Sequence, residues 1–478
     1  MNSLVTVVLE NSRRYPEKDA LIFGGTHITY RQFAEKILTF SDYLKQKKVK
    51  KGSKIAVEAD DPILFYTVFL AVQLHACIVL PLEKNISLYH LQEILKSQKP
   101  AMVFSRHTGE ISDDFFSASG GHELPEDEPL AETPAAIIST TGTTGKPVTI
   151  VHTNKSMLST AVTYLSRVPM TESCIVYTAV PFHLAGGFRR VLAALYVGAT
   201  SVISDCPLSI ETISDAIHTY HINFLCTVNS DISTLFKGEK EQTTAISEQI
   251  RIVETYAGRL TAATVMRFYQ SYPHSVLYNV YGTTESGCLL VNNTAENPSD
   301  SCIGKPTELA DIRLVDENGQ PVTQPGKYGY FTVQGPMNMR EYYKRKALTK
   351  QVLTDGVLKI NDIGYFDETG YYYYVSRVGD IMNVNGYTIV PDDIETVAAD
   401  YPYIEDCACT CVEVSDIGQL PVLYVVTKDG YNKKDFLDFL MSHMEAYKIP
   451  AAIREVTNIP RTTTGKIIRN VLPMLTTI

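Results

Sequence analysis

The chain has 478 residues, of which 45% are hydrophobic and 20% are charged, and its formal net charge is −10. This length and ordinary globular composition predict roughly three domain-sized units with large buried cores. The acidic balance argues against nucleic acid or an anionic membrane surface as a main partner, because both favour a basic protein face.

The first 130 residues alternate helical and strand patterns. Residues 30–44 indicate a helix, and residues 54–57 a strand. Residues 63–82 form the longest apolar stretch, but Gln73 and His75 within it favour a buried helix followed by a core strand over a membrane span. The arginines near the start follow a short apolar run, which is the reverse of the order in a signal peptide. We therefore expect a cytoplasmic protein with reduced thiols.

A segment rich in threonine and glycine lies between the apolar runs 135–138 and 148–151, a pattern that predicts strand, loop, strand. Glycine lets backbone N–H groups approach an anion and the hydroxyls add donors, so the loop suits phosphate. It departs from the Walker pattern, which would need Ser or Thr at Pro147. Taken alone, the loop has a polar hairpin turn as its alternative. Its residues are Thr140, Thr141, Gly142, Thr143, Thr144 and Gly145.

From residue 135 to residue 300 strands and helices alternate again, and we expect Asn154 to cap one of these helices. Such alternation predicts open, mostly parallel sheets covered by helices, with ligands bound at the strand ends. After residue 300 short strands and turns dominate, including residues 328–333 and 371–375. A compact α+β segment follows Gly379.

The nine cysteines contain no C-x-x-C pair. Cys407, Cys409 and Cys411 alternate along a predicted strand and so share one face of it. Three small core residues are the favoured interpretation, and a metal cluster is the alternative.

Four further motifs follow the threonine-rich loop in the chain. They are Tyr-Gly-Thr-Thr-Glu-Ser at residues 281–286, Asn-Asp-Ile-Gly around Asp362, Ser-Arg-Val-Gly-Asp around Arg377, and Thr-Gly-Lys-Ile around Lys466. In this order, the set resembles the adenylate-forming (ANL) superfamily of acyl- and aryl-CoA ligases, peptide-synthetase adenylation domains and beetle luciferases. The resemblance spans nearly the whole chain, from residues 27–30 to the last lysine motif.

The resemblance implies an α/β fold with two domains. Residues 1–378 would form a large AMP-binding domain of mostly parallel sheets covered by helices, with a small β-barrel-like part. Residues 379–478 would form a small, mobile α+β lid. The hinge would fall at Gly379 and Asp380, where glycine tolerates large backbone rotations.

The resemblance also implies a reaction. ATP would activate a carboxylic acid to acyl-AMP with release of pyrophosphate, and the acyl group would pass to the thiol of coenzyme A, with Mg²⁺ as the metal. One alternative acceptor is the phosphopantetheine of an acyl carrier protein. A second alternative is a degenerate adenylate-binding protein, which is supported by departures from the family pattern at Val148, Ser376, Ile360, Asn361 and Gly379.

Most of the implied site residues would contact the nucleotide. The threonine-rich loop would wrap the β- and γ-phosphates, with Lys146 replacing a missing family lysine or with weaker pyrophosphate handling. Asp362 would accept hydrogen bonds from both ribose hydroxyls, and Arg377 would contact ribose and phosphate. Glu285 would ligate Mg²⁺. The other implied contacts come from Thr284 to the α-phosphate, from Tyr281 to adenine, and from Gly258, Gly282 and Thr283 to the cofactor.

Three implied residues serve the chemistry and the acceptor. Lys466 would stabilise negative charge on the carboxylate and the α-phosphate, because its ammonium sits on a long flexible stem. His183 would gate carboxylate entry, or else be a packed core histidine. Gly386 would line the pantetheine tunnel.

The segment after His183 predicts the class of acid. Gly186 and Gly187 would leave space for the acyl group, and residues 182–189 contain no aspartate to pair with a substrate ammonium. A plain carboxylic acid is therefore favoured over an α-amino acid. Arg189 or Arg190 would be available for a second carboxylate on the substrate.

Overall fold

The computed structural model describes residues 3–108, 129–139, 148–204, 206–258, 260–378, 382–384, 387–414, 418–462 and 465–476. Its contacts divide the chain into two compact units. The first unit holds the described residues up to Ile312 together with residues 333–358. The second holds residues 313–332 and the described residues from Lys359 onward. The boundary at residues 378 and 379 stays a prediction, because Gly379 and Asp380 lie outside the described residues.

Several helices begin where the sequence supplies a capping side chain. Thr29, for example, accepts a hydrogen bond from the Gln32 backbone N–H, and Ser87 does the same for His90. The helices are α1 (Leu4–Arg14), α2 (Tyr30–Gln46), α3 (Pro62–Leu74), α4 (Leu88–Gln98), α5 (Asn154–Leu165), α6 (Ala185–Val197), α7 (Ile210–Tyr220), α8 (Lys240–Gln249), α9 (Ala262–Ser271), α10 (Lys346–Val352), α11 (Pro391–Ala399) and α12 (Lys433–His443).

The strands occur in both units, and they alternate with these helices through most of the first. They are β1 (Asp19–Phe23), β2 (Thr26–Thr29), β3 (Lys54–Glu58), β4 (Ile78–Leu82), β5 (Met102–Phe104), β6 (Pro134–Ser139), β7 (Thr149–Thr153), β8 (Ile175–Thr178), β9 (Thr200–Ile203), β10 (Phe224–Val228), β11 (Ile252–Tyr256), β12 (Val276–Thr283), β13 (Gly287–Asn293), β14 (Cys302–Pro306), β15 (Asp311–Val315), β16 (Gly329–Gln334), β17 (Glu341–Tyr342), β18 (Leu353–Thr354), β19 (Val357–Phe366), β20 (Tyr372–Arg377), β21 (Met382–Val384), β22 (Tyr387–Ile389), β23 (Ile404–Val414), β24 (Gly418–Thr427) and β25 (Ala452–Glu455).

The first unit contains two sheets with parallel centres. One has the order β2-β1-β9-β8-β10-β11-β12-β13-β14, and its pairings from β1 to β12 are parallel. The other has the order β5-β3-β4-β6-β7-β17, in which β5, β3, β4 and β6 are parallel. In the second unit the strands follow the orders β15-β16-β19-β20, β21-β22 and β23-β24-β25. The predicted α/β plan of mostly parallel sheets and a smaller α+β part is confirmed.

The long apolar stretch folds as the sequence predicts. α3 is buried along almost its whole length and leads into β4, and Phe65, Phe69 and Val72 are fully inaccessible in the core. A helix that is apolar all round belongs in a protein interior or a membrane. Among the described residues, no helix has the length and apolar character needed to cross a bilayer.

One capping prediction is wrong. Thr153, not Asn154, caps α5, because the Thr153 hydroxyl accepts from the Ser156 backbone N–H at 3.1 Å. Asn154 is the first helical residue, and its side chain donates to the Leu130 carbonyl at 3.1 Å. Asn154 therefore ties the helix start to the preceding chain.

The alternating cysteines lie in the core of the second unit, as expected. Cys407 and Cys409 are buried in a cluster with Leu423 and Phe436, and Cys411 packs against it. In the described parts of the chain, no group of three or more His, Cys, Asp or Glu residues could hold a metal ion. The core-packing interpretation of these cysteines is the one the structure supports.

Candidate active site

A tight hairpin presents the Thr-Thr-Glu motif in the first unit. β12 pairs antiparallel with β13, and Thr283 lies opposite Gly287, so residues 284–286 form the connecting loop. A Cβ atom at Gly282 would lie 2.0 Å from the Gly287 carbonyl oxygen. Gly287 itself has a φ of +72°, in the left-handed region that favours glycine. Both glycines are therefore required by the turn.

Two buried side chains hold the backbone of this hairpin loop. Arg189, on α6, donates from Nη1 to the Thr283 carbonyl at 2.8 Å and from Nη2 to the Thr284 carbonyl at 2.7 Å. His152, on β7, lies with Nε2 2.9 Å from the same Thr284 carbonyl. Because both carbonyls are bound inside the protein, the backbone that carries Thr284 and Glu285 is held in one orientation.

The supports of the loop carry a buried positive charge that lies near the Glu285 carboxylate. Burial and the neighbouring Arg190 lower the pKa of Arg189 to about 10, which leaves it charged at neutral pH. Burial and Arg189 lower the pKa of His152 to about 3, so this ring is neutral. Since Nε2 of His152 faces a carbonyl oxygen, we assign the proton to that nitrogen. No carboxylate among the described residues lies within ion-pair distance of Arg189, and its Nε atom has no partner there.

Glu285 has the surroundings of a metal ligand. Its Oε1 atom accepts a hydrogen bond from the Tyr342 hydroxyl at 2.9 Å, and its backbone carbonyl accepts from the Met339 N–H at 2.6 Å. Within the described residues, no hydrogen-bond partner lies at Oε2. Mg²⁺ prefers oxygen ligands and is commonly held by one or two carboxylates together with substrate phosphates. A single oriented carboxylate therefore fits the predicted role.

Asp362 and Arg377 are brought together in the second unit. They face each other across β19 and β20, with Arg377 Nε 3.7 Å from Asp362 Oδ1. The Asp362 side chain is 13% exposed and that of Arg377 is 42% exposed. The pair thus presents one carboxylate and one guanidinium side by side, the two groups predicted to bind ribose and phosphate.

Lys466 is exposed at the end of a short turn in the second unit. Its backbone N–H donates to the Thr462 hydroxyl at 3.1 Å, and its carbonyl accepts from the Thr462 N–H at 2.8 Å. Gly465 precedes it with a φ of +79°. The left-handed glycine closes the turn, so the lysine projects from a defined backbone.

Arginines on both sides anchor this lysine turn. Arg461 donates to Asp406 Oδ1 at 2.7 Å and to the Gly465 carbonyl at 3.0 Å. Arg469, beyond the turn, donates to Asp392 Oδ1 at 2.9 Å and also binds Glu395. These ion pairs tie the turn to α11 and β23.

Residues 182–187, which were predicted to border the carboxylic acid substrate, agree with that prediction only in part. His183 is half-buried and packs edge-to-face on Phe182, with ring centres 6.1 Å apart. Burial lowers the pKa of His183, against an opposing effect of Glu83. Gly187 packs on backbone, since a Cβ atom there would lie 2.5 Å from the Pro181 carbonyl oxygen. The gating role of His183 stays a prediction.

The space beside Gly186 is not open, contrary to expectation. A Cβ atom at Gly186 would lie 1.9 Å from the hydroxyl oxygen of Tyr256 and 2.1 Å from its Cζ atom. The tip of this tyrosine, at the end of β11, therefore occupies the volume that the glycine leaves. The sequence pattern around Gly186 contains no signal for this filling, because the two residues lie on different elements.

The expectation that Arg189 or Arg190 is available for a second substrate carboxylate is wrong. Arg190 Nε lies 2.7 Å and 2.6 Å from the two carboxylate oxygens of Glu254, and both side chains are buried. Burial alone would lower the pKa of Arg190, but the adjacent Glu254 outweighs it and raises it. Arg189 is occupied by the hairpin carbonyls. Both guanidinium groups thus serve internal contacts.

The remaining predicted residues divide into two groups. Gly258 is exposed with a φ of +114°, and its carbonyl accepts from Asn229 Nδ2 at 2.7 Å, so its backbone is held at the end of β11. Tyr281 is half-buried on β12. Residues of the threonine-rich loop from Thr140 to Gly145, with Lys146 and Gly386, lie outside the described residues.

The sequence did not predict that His152, Arg189 and Tyr342 support the hairpin loop. A polar ring in a buried strand and a charged residue in an apolar helix are both unusual, and these two features were the available signals for His152 and Arg189. For Tyr342 the sequence carries no comparable signal.

The motifs and the hairpin agree with comparisons to known proteins. The family model described as "AMP-binding enzyme" matches residues 8–343, and "AMP-binding enzyme C-terminal domain" matches residues 393–466. The first match alone covers well over half of the chain. The chain belongs to the AMP-binding enzyme family. The predicted membership of the adenylate-forming superfamily is thereby confirmed.

Curated relatives of this AMP-binding enzyme are CoA ligases. The 2-succinylbenzoate–CoA ligase of Bacillus velezensis is 26% identical over 482 residues, covering 97% of this chain and 96% of the relative. The feruloyl-CoA synthase of Amycolatopsis sp. is 24% identical over 481 residues, covering 96% of each protein.

Solved structures have the same fold. ATP-bound MatB from Rhodopseudomonas palustris matches with a TM-score of 0.89 at 21% identity, over 99% of this chain and 98% of that one. The o-succinylbenzoate CoA synthetase MenE from Bacillus subtilis, in complex with ATP and a magnesium ion, matches with a TM-score of 0.85 at 21% identity, over 98% and 99%. The predicted fold class is confirmed by these matches.

Proposed function

We propose that this AMP-binding enzyme is an acid–CoA ligase that activates a carboxylic acid with ATP. The acid forms acyl-AMP with release of pyrophosphate, and the acyl group is then transferred to the thiol of coenzyme A. The observation that carries the proposal is the hairpin loop whose Thr283 and Thr284 carbonyls are fixed by Arg189 and His152. A loop held this way has Thr284 and Glu285 ready before the substrates bind.

Preorganised charge and position are what this type of reaction requires. Nucleotidyl transfer gains most of its acceleration from placing the reactants and neutralising negative charge on phosphate oxygens. Mg²⁺ bound at Glu285 would supply part of that neutralisation. Thr284 contacts the α-phosphate, and the buried charge of Arg189 lies directly behind it.

Three further residues, Asp362, Arg377 and Lys466, have roles in the proposed mechanism. Asp362 accepts hydrogen bonds from the ribose hydroxyls, since a carboxylate can accept from both members of a vicinal diol. Arg377, beside it on β20, contacts ribose and phosphate. Lys466 stabilises the developing negative charge where the carboxylate attacks the α-phosphate. We propose the domain division at residues 378 and 379, with Gly386 in the pantetheine tunnel, on the same family resemblance.

The test of the proposal varies the carboxylic acid and the acceptor thiol. Pyrophosphate release from ATP is measured against fatty, aryl and dicarboxylic acids, each with and without coenzyme A. Acid-dependent release that accelerates with coenzyme A is the expected result. Release that is indifferent to coenzyme A would instead favour a carrier-protein thiol as the acceptor. Absence of release with every acid would contradict the proposal and favour an adenylate-binding protein without turnover.

Lys466→Ala provides the sharpest variant for this assay. Its contact is made mainly in the transition state, so we expect acid-dependent pyrophosphate release to fall by at least about 100-fold while ATP affinity changes little. ATP affinity is measured by calorimetry on the same preparation. An equal loss of affinity and rate would assign Lys466 to ground-state binding.

A further inference from the structure

Tyr256 ends β11 with its hydroxyl in an unusual position. The hydroxyl oxygen is buried beside the first turn of α6, in contact with the space of Gly186, and the neighbouring Gly187 backbone N–H faces it without the geometry of a good hydrogen bond. The rest of the residue is partly exposed. A tyrosine placed this way fills the space beside Gly186 with its hydroxyl and the tip of its ring.

The backbone around Tyr256 keeps the ring in place. The Thr255 hydroxyl donates to Asn229 Oδ1 at 2.7 Å, and Asn229 Nδ2 donates to the Gly258 carbonyl at 2.7 Å. The Arg190 guanidinium lies 5.4 Å from the centre of the Tyr256 ring. The strand end is therefore held by hydrogen bonds, and the Tyr256 ring lies beside a buried guanidinium group.

The same helix connects this ring to the hairpin loop. Gly186 and Arg189 lie within one turn of α6, and Arg189 binds the Thr283 and Thr284 carbonyls. In the proposed reaction the carboxylate of the acid reacts at the α-phosphate beside Thr284. If the acyl chain extends from that point along the first turn of α6, it meets the tip of Tyr256 beside Gly186.

We propose that Tyr256 closes the acyl pocket and restricts the enzyme to carboxylic acids with a short acyl group, excluding medium- and long-chain fatty acids. This inference rests on the proposed function and adds the substrate class to it. The ring occupies the volume beside Gly186 that a longer chain needs. A second carboxylate gains no partner from Arg189 or Arg190, because both are bound inside the protein.

The test measures acid-dependent pyrophosphate exchange into ATP with linear acids from acetate to decanoate. Wild-type enzyme should show a cut-off, with kcat/KM falling by about tenfold or more for each methylene beyond it. Tyr256→Ala should move the cut-off to longer acids. Tyr256→Phe should keep the wild-type cut-off, since Cζ and Cε2 of the ring still occupy the space when the hydroxyl is removed. Tyr196→Ala, a partly buried tyrosine near the other end of α6, is the matched control and should leave the cut-off in place.

A second experiment tests the packing without relying on turnover. Gly186→Ala should lower the thermal unfolding midpoint, because its methyl group would overlap the Tyr256 ring. Tyr256→Ala in the same chain should restore much of that loss. Restoration supports the closed pocket, whereas additive losses in the double variant would overturn it.

The outcomes separate this inference from the proposed function. Equal exchange with decanoate and with short acids in the wild type would overturn the size limit while the ligase function stands. An unchanged cut-off in Tyr256→Ala would also overturn it. Failure of every acid, short or long, to support exchange would overturn the ligase function and, with it, the substrate class.

Discussion

The hairpin loop at residues 284–286 and the turn that carries Lys466 both depend on arginine, but in opposite surroundings. Arg189 is buried and binds two backbone carbonyls, with no carboxylate partner among the described residues. Arg461 is about one-third exposed and forms an ion pair with Asp406. A buried hydrogen-bonded cation is costly to disturb, whereas an exposed ion pair is screened by salt. Arg189 should therefore contribute strongly to fixing the hairpin, whereas the Arg461–Asp406 pair should contribute little to holding the lysine turn.

Among the substitutions that test this comparison, Arg189→Met has the largest expected effect. It leaves the Thr283 carbonyl without its donor and removes charge behind the loop, so we expect pyrophosphate release to fall by about 100-fold. The free energy of unfolding should fall by about 1–3 kcal/mol. Chemical denaturation and the pyrophosphate-release assay measure the two effects. In both measurements the value for Arg189→Lys should lie between those of Arg189→Met and the wild type.

Arg167→Met is the matched control for this variant. Arg167 also donates to a backbone carbonyl, that of Pro306 at 3.1 Å, but on the surface. We expect its unfolding free energy to change by no more than about 0.5 kcal/mol. Equal changes in unfolding free energy for the two substitutions would contradict the stabilising role proposed for the buried Arg189.

His152 should make the hairpin region sensitive to acid. Its pKa is about 3 in the folded protein, against an ordinary value of 6.5, so the unfolded chain binds a proton that the folded protein excludes. Its contribution is fully present above the unfolded pKa and is lost as pH falls from 6.5 toward 3, by about 1.4 kcal/mol for each pH unit. His152→Gln should therefore lose less unfolding free energy between about pH 7 and about pH 5.5 than the wild type does.

Two comparisons make this prediction specific. His90→Gln, at an exposed position on α4, should keep the pH slope of the wild type. Denaturant midpoints at each pH give the slopes. If His152→Gln and the wild type have parallel pH profiles, His152 is not the group responsible.

Tyr342→Phe tests the carboxylate of the hairpin. Without the phenol at 2.9 Å, Glu285 loses an orienting hydrogen bond, and we expect the Mg²⁺ concentration for half-maximal exchange to rise by about tenfold. Tyr343→Phe is the matched control, because that hydroxyl binds Lys54 at 2.8 Å instead. The same Mg²⁺ dependence in both variants would show that Tyr342 does not influence Mg²⁺ binding.

The smallest effect is expected at the lysine turn. Arg461→Ala removes a surface pair worth at most about 1 kcal/mol, so exchange should slow by no more than about fivefold. High salt should slow the wild type by a similar factor and the variant by less. Lys434→Ala, exposed on α12, serves as the control. If Arg461→Ala lowered the exchange rate as much as Arg189→Met does, and independently of salt, the two regions would not differ as proposed.

Local features of the site were predictable from the sequence, and long-range ones were not. The strands around the threonine-rich loop, the buried α3 and the position of the Thr-Thr-Glu motif follow from short patterns of apolar residues and glycine. Arg189 and Thr283 are 94 residues apart in the chain. Their hydrogen bond depends on how α6 packs beside β12, which a local pattern does not encode.

Competition between neighbouring residues explains the smaller errors. Thr153 and Asn154 are both good helix caps, and the structure uses Thr153, the last residue of β7. The prediction that Gly186 leaves open space was wrong, because the sequence does not identify which residue packs beside the glycine. Tyr256 fills that space from another strand.

Two consecutive arginines give α6 a consequence for protein engineering. Arg189 fastens the helix to the hairpin, and Arg190 fastens it to Glu254 on β11, two residues before Tyr256. Grafting only the segment after His183 from a relative would therefore separate residues that fit each other. A transplant meant to change the accepted acid should carry residues 183–190 and 254–256 as one cassette.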